Sequence, residues 1–177
     1  MTRNYKELLH TIRAFVFDMD GVLTNGVFQM GVDGRPIRNF NSKDGYAIQL
    51  AIKKGYTVAI ISGGHCINAK TGFQRMGLTD IYMKASNKMD AWKDFLAVYE
   101  HAHLKPENIL YMGDDIPDYQ VMQQAGVSAA PADAASEIKA IAHYVSPKKG
   151  GEACVRDVIE QTLKLQDNWM LEDDFNW

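Results

Sequence analysis

A chain of 177 residues, 46% hydrophobic and 23% charged, has the composition of a globular domain with a sizeable core. Its formal charge of −3 argues against nucleic acid as the main partner. No stretch approaches a membrane span, the amphipathic start MTRNYKELLHTIR lacks the apolar region of a secretory signal, and the two cysteines, Cys66 and Cys154, lie in unrelated contexts, so a cytoplasmic setting is the expectation.

The first apolar run, AFVF (14–17), reads as a strand and delivers Asp18 and Asp20 at its end, with Gly21 letting the chain turn. In an extended segment alternate side chains face the same way, so two like charges start out on one face. They imply a metal, a shared proton or a solvated turn. GVFQMGVDGRPIRNFN (26–41) follows, alternating like a hairpin around Val32-Asp33-Gly34 and placed to project over the aspartates. GYAIQLAIKKG reads as a helix closed by glycine, and YTVAII (56–61) as a strand ending in Ser62, Gly63 and Gly64.

The same beat continues through the helical INAKTGFQRMG, the strand DIYM (80–83) and a helix over Asn87–His103. Lys88 stands at the start of that helix, where the dipole disfavours a cation, and makes sense there if it reaches carboxylates or a phosphoryl oxygen. The strand NILYM (108–112) runs into GDDIPD, which supplies Asp114, Asp115 and Asp118; the helical PDYQVMQQAG and the strand GVSAA (126–130) come next. The acidic, Trp-containing tail, 165–177, reads as solvated and partly ordered, with docking of its aromatic residues on a neighbouring surface as the alternative.

Short apolar strands alternating with amphipathic helices predict an α/β doubly wound, parallel sheet in one domain over residues 1–177, the strand order remaining open. Ligands of such sheets bind beyond the carboxyl ends of the strands, where this chain gathers four or five acids, a hydroxyl and a Gly-rich turn. A hard cation with oxygen ligands is the simplest compensation, and Mg²⁺ suits one or two carboxylates plus a substrate phosphate. Two other readings compete. GHCINAKT (64–71) nearly spells a phosphate-binding P-loop, but Ala69 stands where the second glycine is needed. A phospho-receiver module also gathers acids, a hydroxyl and a lysine, but in a different chain order.

DMDGVLT, the hydroxyl in ISG, Lys88 in SNK and GDDIPD together resemble, in chain order, the four motifs of the haloacid dehalogenase superfamily. The short insert after the first motif leaves no room for a cap domain and resembles the capless branch. FNSKDGYAI (40–48), GDDIPD and KKGGEACVRD (148–157) are similar to phosphatases of 3-deoxy-D-manno-octulosonate 8-phosphate and of nonulosonate 9-phosphates, the former ahead of the latter.

The resemblance implies a Mg²⁺-dependent phosphatase with Asp18 as nucleophile and Asp20 as the acid and base that moves the proton. It implies Mg²⁺ held by Asp18, the backbone carbonyl of Asp20 and Asp114, with Asp115 and Asp118 orienting the metal waters and Lys88. Ser62 and the Gly63 amide would donate to the phosphoryl oxygens and Lys88 would neutralise them. Gly64, Asp44, Arg156, Lys148 and Lys149 are weaker candidates for holding a sugar acid. It also implies a homotetramer in which the hairpin helps cover a neighbour's site, and products that feed cell-surface polysaccharide assembly. Many members carry Arg or Glu directly after the second-motif glycine, where this chain has Gly64-His65.

Overall fold

The computed structural model of the chain describes residues 4–34 and 36–176, so Arg35 of the hairpin and Trp177 of the tail lie outside the described residues. After a short helix α1 (Tyr5–Leu9) the chain enters the central strand β1 (Ala14–Phe17). A small antiparallel hairpin, β2 (Gln29–Met30) and β3 (Pro36–Ile37), turns at Gly31–Gly34 and leads to α2 (Ser42–Lys53). There follow β4 (Thr57–Ile61), α3 (Ile67–Arg75), β5 (Asp80–Tyr82), α4 (Lys88–Val98), β6 (Ile109–Met112) and α5 (Tyr119–Met122). The chain finishes with β7 (Val127–Ala130), α6 (Ser136–Ile141), β8 (Tyr144–Val145) and α7 (Cys154–Leu165).

The six long-range strands form one sheet in the order β5-β4-β1-β6-β7-β8, every neighbouring pair parallel. Counted along the chain without the hairpin this is 3-2-1-4-5-6, the doubly wound order whose crossovers reverse direction between the first and fourth strands. A receiver module has a different order, so the topology sets that reading aside. All four residues of β1 are buried, because helices cover both faces. Phe15 and Phe17 face a core shared with α2, α3 and α7, including Ile48, Phe73, Val158 and Ile159. Ala14 and Val16 face the opposite core, with Trp92 and Phe95 of α4, Val121 of α5 and Ile138 of α6. The period of two along a strand makes that division.

All five strands read from the apolar runs are present. β8 was not foreseen, since a two-residue edge strand carries too little pattern to register. The helix expected over Asn87–His103 ends at Val98, and a separate 3₁₀ turn over Glu100–Ala102 leads to His103 in the left-handed region.

Residues 170–173, 175 and 176 of the tail are exposed, while Trp169 and Asp174 dock. Trp169 lies against Arg156 at 5.3 Å and Lys164 at 5.9 Å, and buried Asp174 pairs with Lys54 at 2.7 Å. Tyr46 donates to the Asp174 carbonyl. The tail docks on the chain's own α2 and α7, because four charged or aromatic partners there satisfy groups that sequence left unpaired.

The KKGGEAC stretch supports the turn that follows Asp18. Gly151 N–H donates to the Val22 carbonyl at 2.9 Å, and Asn41 donates to the Gly151 carbonyl at 3.1 Å. A β-carbon on Gly150 would lie 2.0 Å from the Gly21 carbonyl oxygen, so glycine is required there by backbone approach. Gly150→Ala is expected to lower unfolding free energy by about 1–3 kcal/mol, the range for forced overpacking, and to displace the 19–24 turn. Urea denaturation checks the first effect, and a stability equal to wild type would overturn the packing argument.

Candidate active site

The reversal between β1 and β6 opens a crevice at the carboxyl ends of the strands, and the acidic residues meet there. β1 delivers Asp18, whose Oδ1 accepts from the Met19 amide at 2.7 Å. The chain then makes a wide turn, closed by Thr24 N–H to the Met19 carbonyl at 3.0 Å, with Gly21 at φ +97°. A side chain at Gly21 would meet the Asp114 carboxylate at 2.0 Å, so glycine also makes room for that acid. β4 ends in Ser62, whose Oγ accepts from the Gly64 amide at 3.1 Å. β6 leads into Asp114, Asp115 and Asp118. Asn87 caps α4 through the Met89 amide and so sets Lys88 at the helix's first turn, pointing into the acids.

The result is a cavity of about 400 Å³ lined by Asp18, Asp20, Ser62, Gly63, Gly64, Lys88, Asp114, Asp115 and Asp118, with Gly26 and Phe28 of the hairpin segment at its edge. Lys88 Nζ lies 3.0 Å from Asp18 Oδ1 and 2.6 Å from Asp118 Oδ1, all three side chains being buried. Asp118 is saturated: its Oδ1 also accepts from Tyr111 at 2.5 Å, and its Oδ2 from the Asp114 amide at 3.3 Å. Asp114 is the opposite case, with a buried Oδ1 that has no hydrogen-bond partner.

One ammonium does not balance these acids. Burial, then repulsion from Asp118, pushes the Asp18 carboxyl well above the usual carboxylate range although Lys88 opposes it. The same two causes push Asp114 up to about 6. Burial works against the charge on Lys88, yet Asp18 and Asp118 more than offset it and hold the ammonium. Carboxylate oxygens of Asp18, Asp114 and Asp118 come within 4.8 Å of one another. A buried, unpartnered oxygen beside a second carboxylate in a set of oxygen donors fits a hard divalent cation.

Four predicted site residues lie elsewhere. Asp44, in the first turn of α2, is buried and accepts from the Arg156 amide at 2.7 Å, thereby capping α7, whose own cap residue Ala153 offers no side-chain oxygen. The Arg156 side chain pairs with Glu160 at 3.1 Å and lies over Tyr46 and Trp169. Lys148 and Lys149 are exposed and do not line the cavity. Lys70 of the near-P-loop stands on α3, away from the acids.

Two further residues were missed. Tyr111 holds Asp118 from within the strand ILYM, where its hydroxyl was the polar group in an otherwise apolar run. Arg38, beyond β3, pairs with both oxygens of Asp20 at 2.7 and 2.9 Å. The available signal was the hairpin's position above the acids, which requires one of its bases to face them.

A doubly wound sheet that presents carboxylates from two adjoining strands, a hydroxyl and a buried lysine at its switch point defines an α/β enzyme built for phosphoryl chemistry. Comparison with known proteins agrees. The chain belongs to the haloacid dehalogenase-like hydrolase family, whose sequence profile matches residues 66–159. It is 38% identical to the 3-deoxy-D-manno-octulosonate 8-phosphate phosphatase KdsC of Yersinia pestis, over 88% of this chain and 82% of that protein. The crystal structure of the Yersinia pestis phosphatase superposes with a TM-score of 0.89 at 36% identity, covering 94% of this chain and 88% of the other. A cobalt-bound deoxy-D-mannose-octulosonate 8-phosphate phosphatase from Haemophilus influenzae superposes with a TM-score of 0.87 at 26% identity, over 95% and 98% of the two chains.

Burial is the main cause that pushes Asp44 up to about 6, against the stabilising amides of Arg156, Ala153 and Val155. A folded-state value above the unfolded one means that folding favours the protonated acid. Its contribution to stability is complete below about pH 4 and is lost as pH rises through about 6. Asp44→Asn, neutral throughout, should therefore gain stability relative to wild type as pH rises from 4 to 7. Thermal unfolding of both proteins across that range measures it, and a pH-independent difference would contradict the assignment.

Proposed function

We propose that this protein is a Mg²⁺-dependent phosphatase of a sugar-acid phosphate, 3-deoxy-D-manno-octulosonate 8-phosphate, working through an aspartyl-phosphate. The observation that carries the chemistry is the buried Asp18–Lys88–Asp118 cluster with the unpartnered Oδ1 of Asp114 beside it. The substrate rests on the likeness to the octulosonate phosphatases.

Asp18 attacks phosphorus, and the bond from phosphorus to the sugar oxygen breaks. Its carboxylate plane is fixed beforehand by the Met19 amide and Lys88. Asp20 gives its proton to the departing sugar oxygen and later takes one from the water that cleaves the aspartyl-phosphate. Ser62 Oγ already accepts from the Gly64 amide, so its hydroxyl hydrogen is left for a phosphoryl oxygen, beside the Gly63 amide. Lys88 neutralises the same oxygens while Asp118, itself held by Tyr111, keeps the ammonium in place. Asp18, the backbone carbonyl of Asp20 and Asp114 would hold Mg²⁺, which when bound offsets the repulsion between an anionic nucleophile and an anionic substrate. Asp115 would orient the metal's waters.

A homotetramer, in a cytoplasmic setting, completes the proposal. Among the described residues no helix is long and apolar enough to cross a membrane. The hairpin segment exposes Val27, Phe28, Met30, Val32 and Ile37, and an apolar cavity of about 770 Å³ lies between the hairpin and α3. That much exposed apolar surface in one place suits burial against another copy.

A phosphate-release screen over sugar phosphates with Mg²⁺ tests the activity. Turnover should fall about a thousandfold or more in Asp18→Asn and be abolished by EDTA, then restored by Mg²⁺. Full activity in Asp18→Asn would sink the mechanism, and preference for a nonulosonate 9-phosphate would replace the substrate. Light scattering should give four times the 19.9 kDa chain mass, with Val32→Asp reducing it; a wild-type monomer would remove the tetramer.

A further inference from the structure

Arg38 holds a carboxylate in the fork geometry that a guanidinium offers to a substrate anion, yet its partner is the chain's own Asp20. The pair is bidentate, from Nε at 2.7 Å and Nη2 at 2.9 Å, and the Arg38 side chain is only 5% exposed. The remaining nitrogen, Nη1, is buried with no hydrogen-bond partner. Phe28, which lines the acid-bearing cavity, covers one face of the guanidinium at 4.7 Å. On another side stands Gly64, where a β-carbon would lie 3.0 Å from Asp20 Oδ2 and 3.1 Å from Arg38 Nη2. The absence of a side chain at Gly64 makes the room in which the pair sits.

The charges around the cavity give this arrangement its meaning. Lys88 is committed to Asp18 and Asp118. Arg156 is turned to Glu160 and the aromatic residues of α2 and the tail. Arg38 lines the adjoining apolar cavity between the hairpin and α3 and meets the acid-bearing one through Asp20, which lines it. Asp20, in turn, has to leave a tight ion pair and take up a proton from solvent before its carboxyl can protonate a departing oxygen.

We infer that Arg38 is the receptor for the carboxylate of the sugar-acid substrate, and that Asp20 stands in for that carboxylate until the substrate arrives. Exchange of one carboxylate for another on the same guanidinium conserves the charge pairing, so entry of the acid does not leave Arg38 buried alone. It also releases Asp20 toward the scissile oxygen, which links recognition of the acid to assembly of the proton-transfer group. Nη1 supplies a donor that Asp20 does not use. The inference rests on the sugar-acid reading given above.

The test compares the sugar-acid phosphate with a neutral sugar phosphate of similar length, measuring kcat/KM for both in wild type, Arg38→Ala and Arg38→Lys. Wild type should prefer the acid. Arg38→Ala should cut kcat/KM for the acid about ten- to hundredfold, whereas the neutral substrate, which cannot displace Asp20 from the guanidinium in wild type, should lose nothing and gain as Asp20 is freed. Arg38→Lys, which keeps the charge without the fork, should recover part of the preference. Inorganic phosphate should inhibit all three equally. Parallel loss on both substrates together with weaker phosphate inhibition would place Arg38 on the phosphoryl group and overturn the inference. An unchanged preference in Arg38→Ala would overturn it while leaving the substrate reading intact. No preference in wild type would reject the substrate reading itself, and the receptor with it.

Discussion

The fold turns on keeping several carboxylates together in a buried crevice. Lys88 makes that possible on the protein's side, lying within 3.0 Å of Asp18 and 2.6 Å of Asp118. A lysine at a helix N-terminus is ordinarily in the wrong place, because the helix dipole repels it. Here the two carboxylates outweigh both the dipole and the loss of hydration, and they hold the ammonium ionised. The compensation remains partial, as the raised Asp18 and Asp114 and the unpartnered Asp114 oxygen show. A site left this acidic is matched to a divalent cation and then to an anion that the cation brings with it.

Holding the acids in register falls to the layer beneath them. The double glycine at 150–151 lies directly against the turn that carries Asp20 and Gly21. Cys154 donates to the Val22 carbonyl at 3.2 Å, and Asp44 caps α7 from α2. The C-terminal helix is thereby joined to the catalytic turn by backbone contacts, which tolerate less movement than long side chains do. Asp44, which the family resemblance made a candidate for holding the sugar acid, forms one buttress with the double glycine.

Above the acids the hairpin works differently. It has two-residue strands, an exposed apolar surface and one buried cation, Arg38, so it is held to the domain by a charge pair and a few aromatic contacts. An element attached in this way can adjust while the sheet stays rigid. The buried acids and Lys88 therefore sit at strand ends and on a capped helix, and Arg38, the proposed receptor, sits on the less firmly attached hairpin segment.

The alternation of apolar strands and amphipathic helices was enough to read the parallel, doubly wound fold from the chain, and the residues that follow each strand were enough to read the acidic centre. Both are local properties: period, turn glycine and charge at a strand end all lie within a few residues of one another. The strand order, the seating of the tail and the roles of Asp44, Tyr111 and Arg38 depended on tertiary structure. Arg38 meets Asp20 across 18 positions, and Asp44 meets Arg156 across 112. No periodicity links such positions; they become neighbours only when the sheet closes and desolvation forces each buried charge and donor to find a partner.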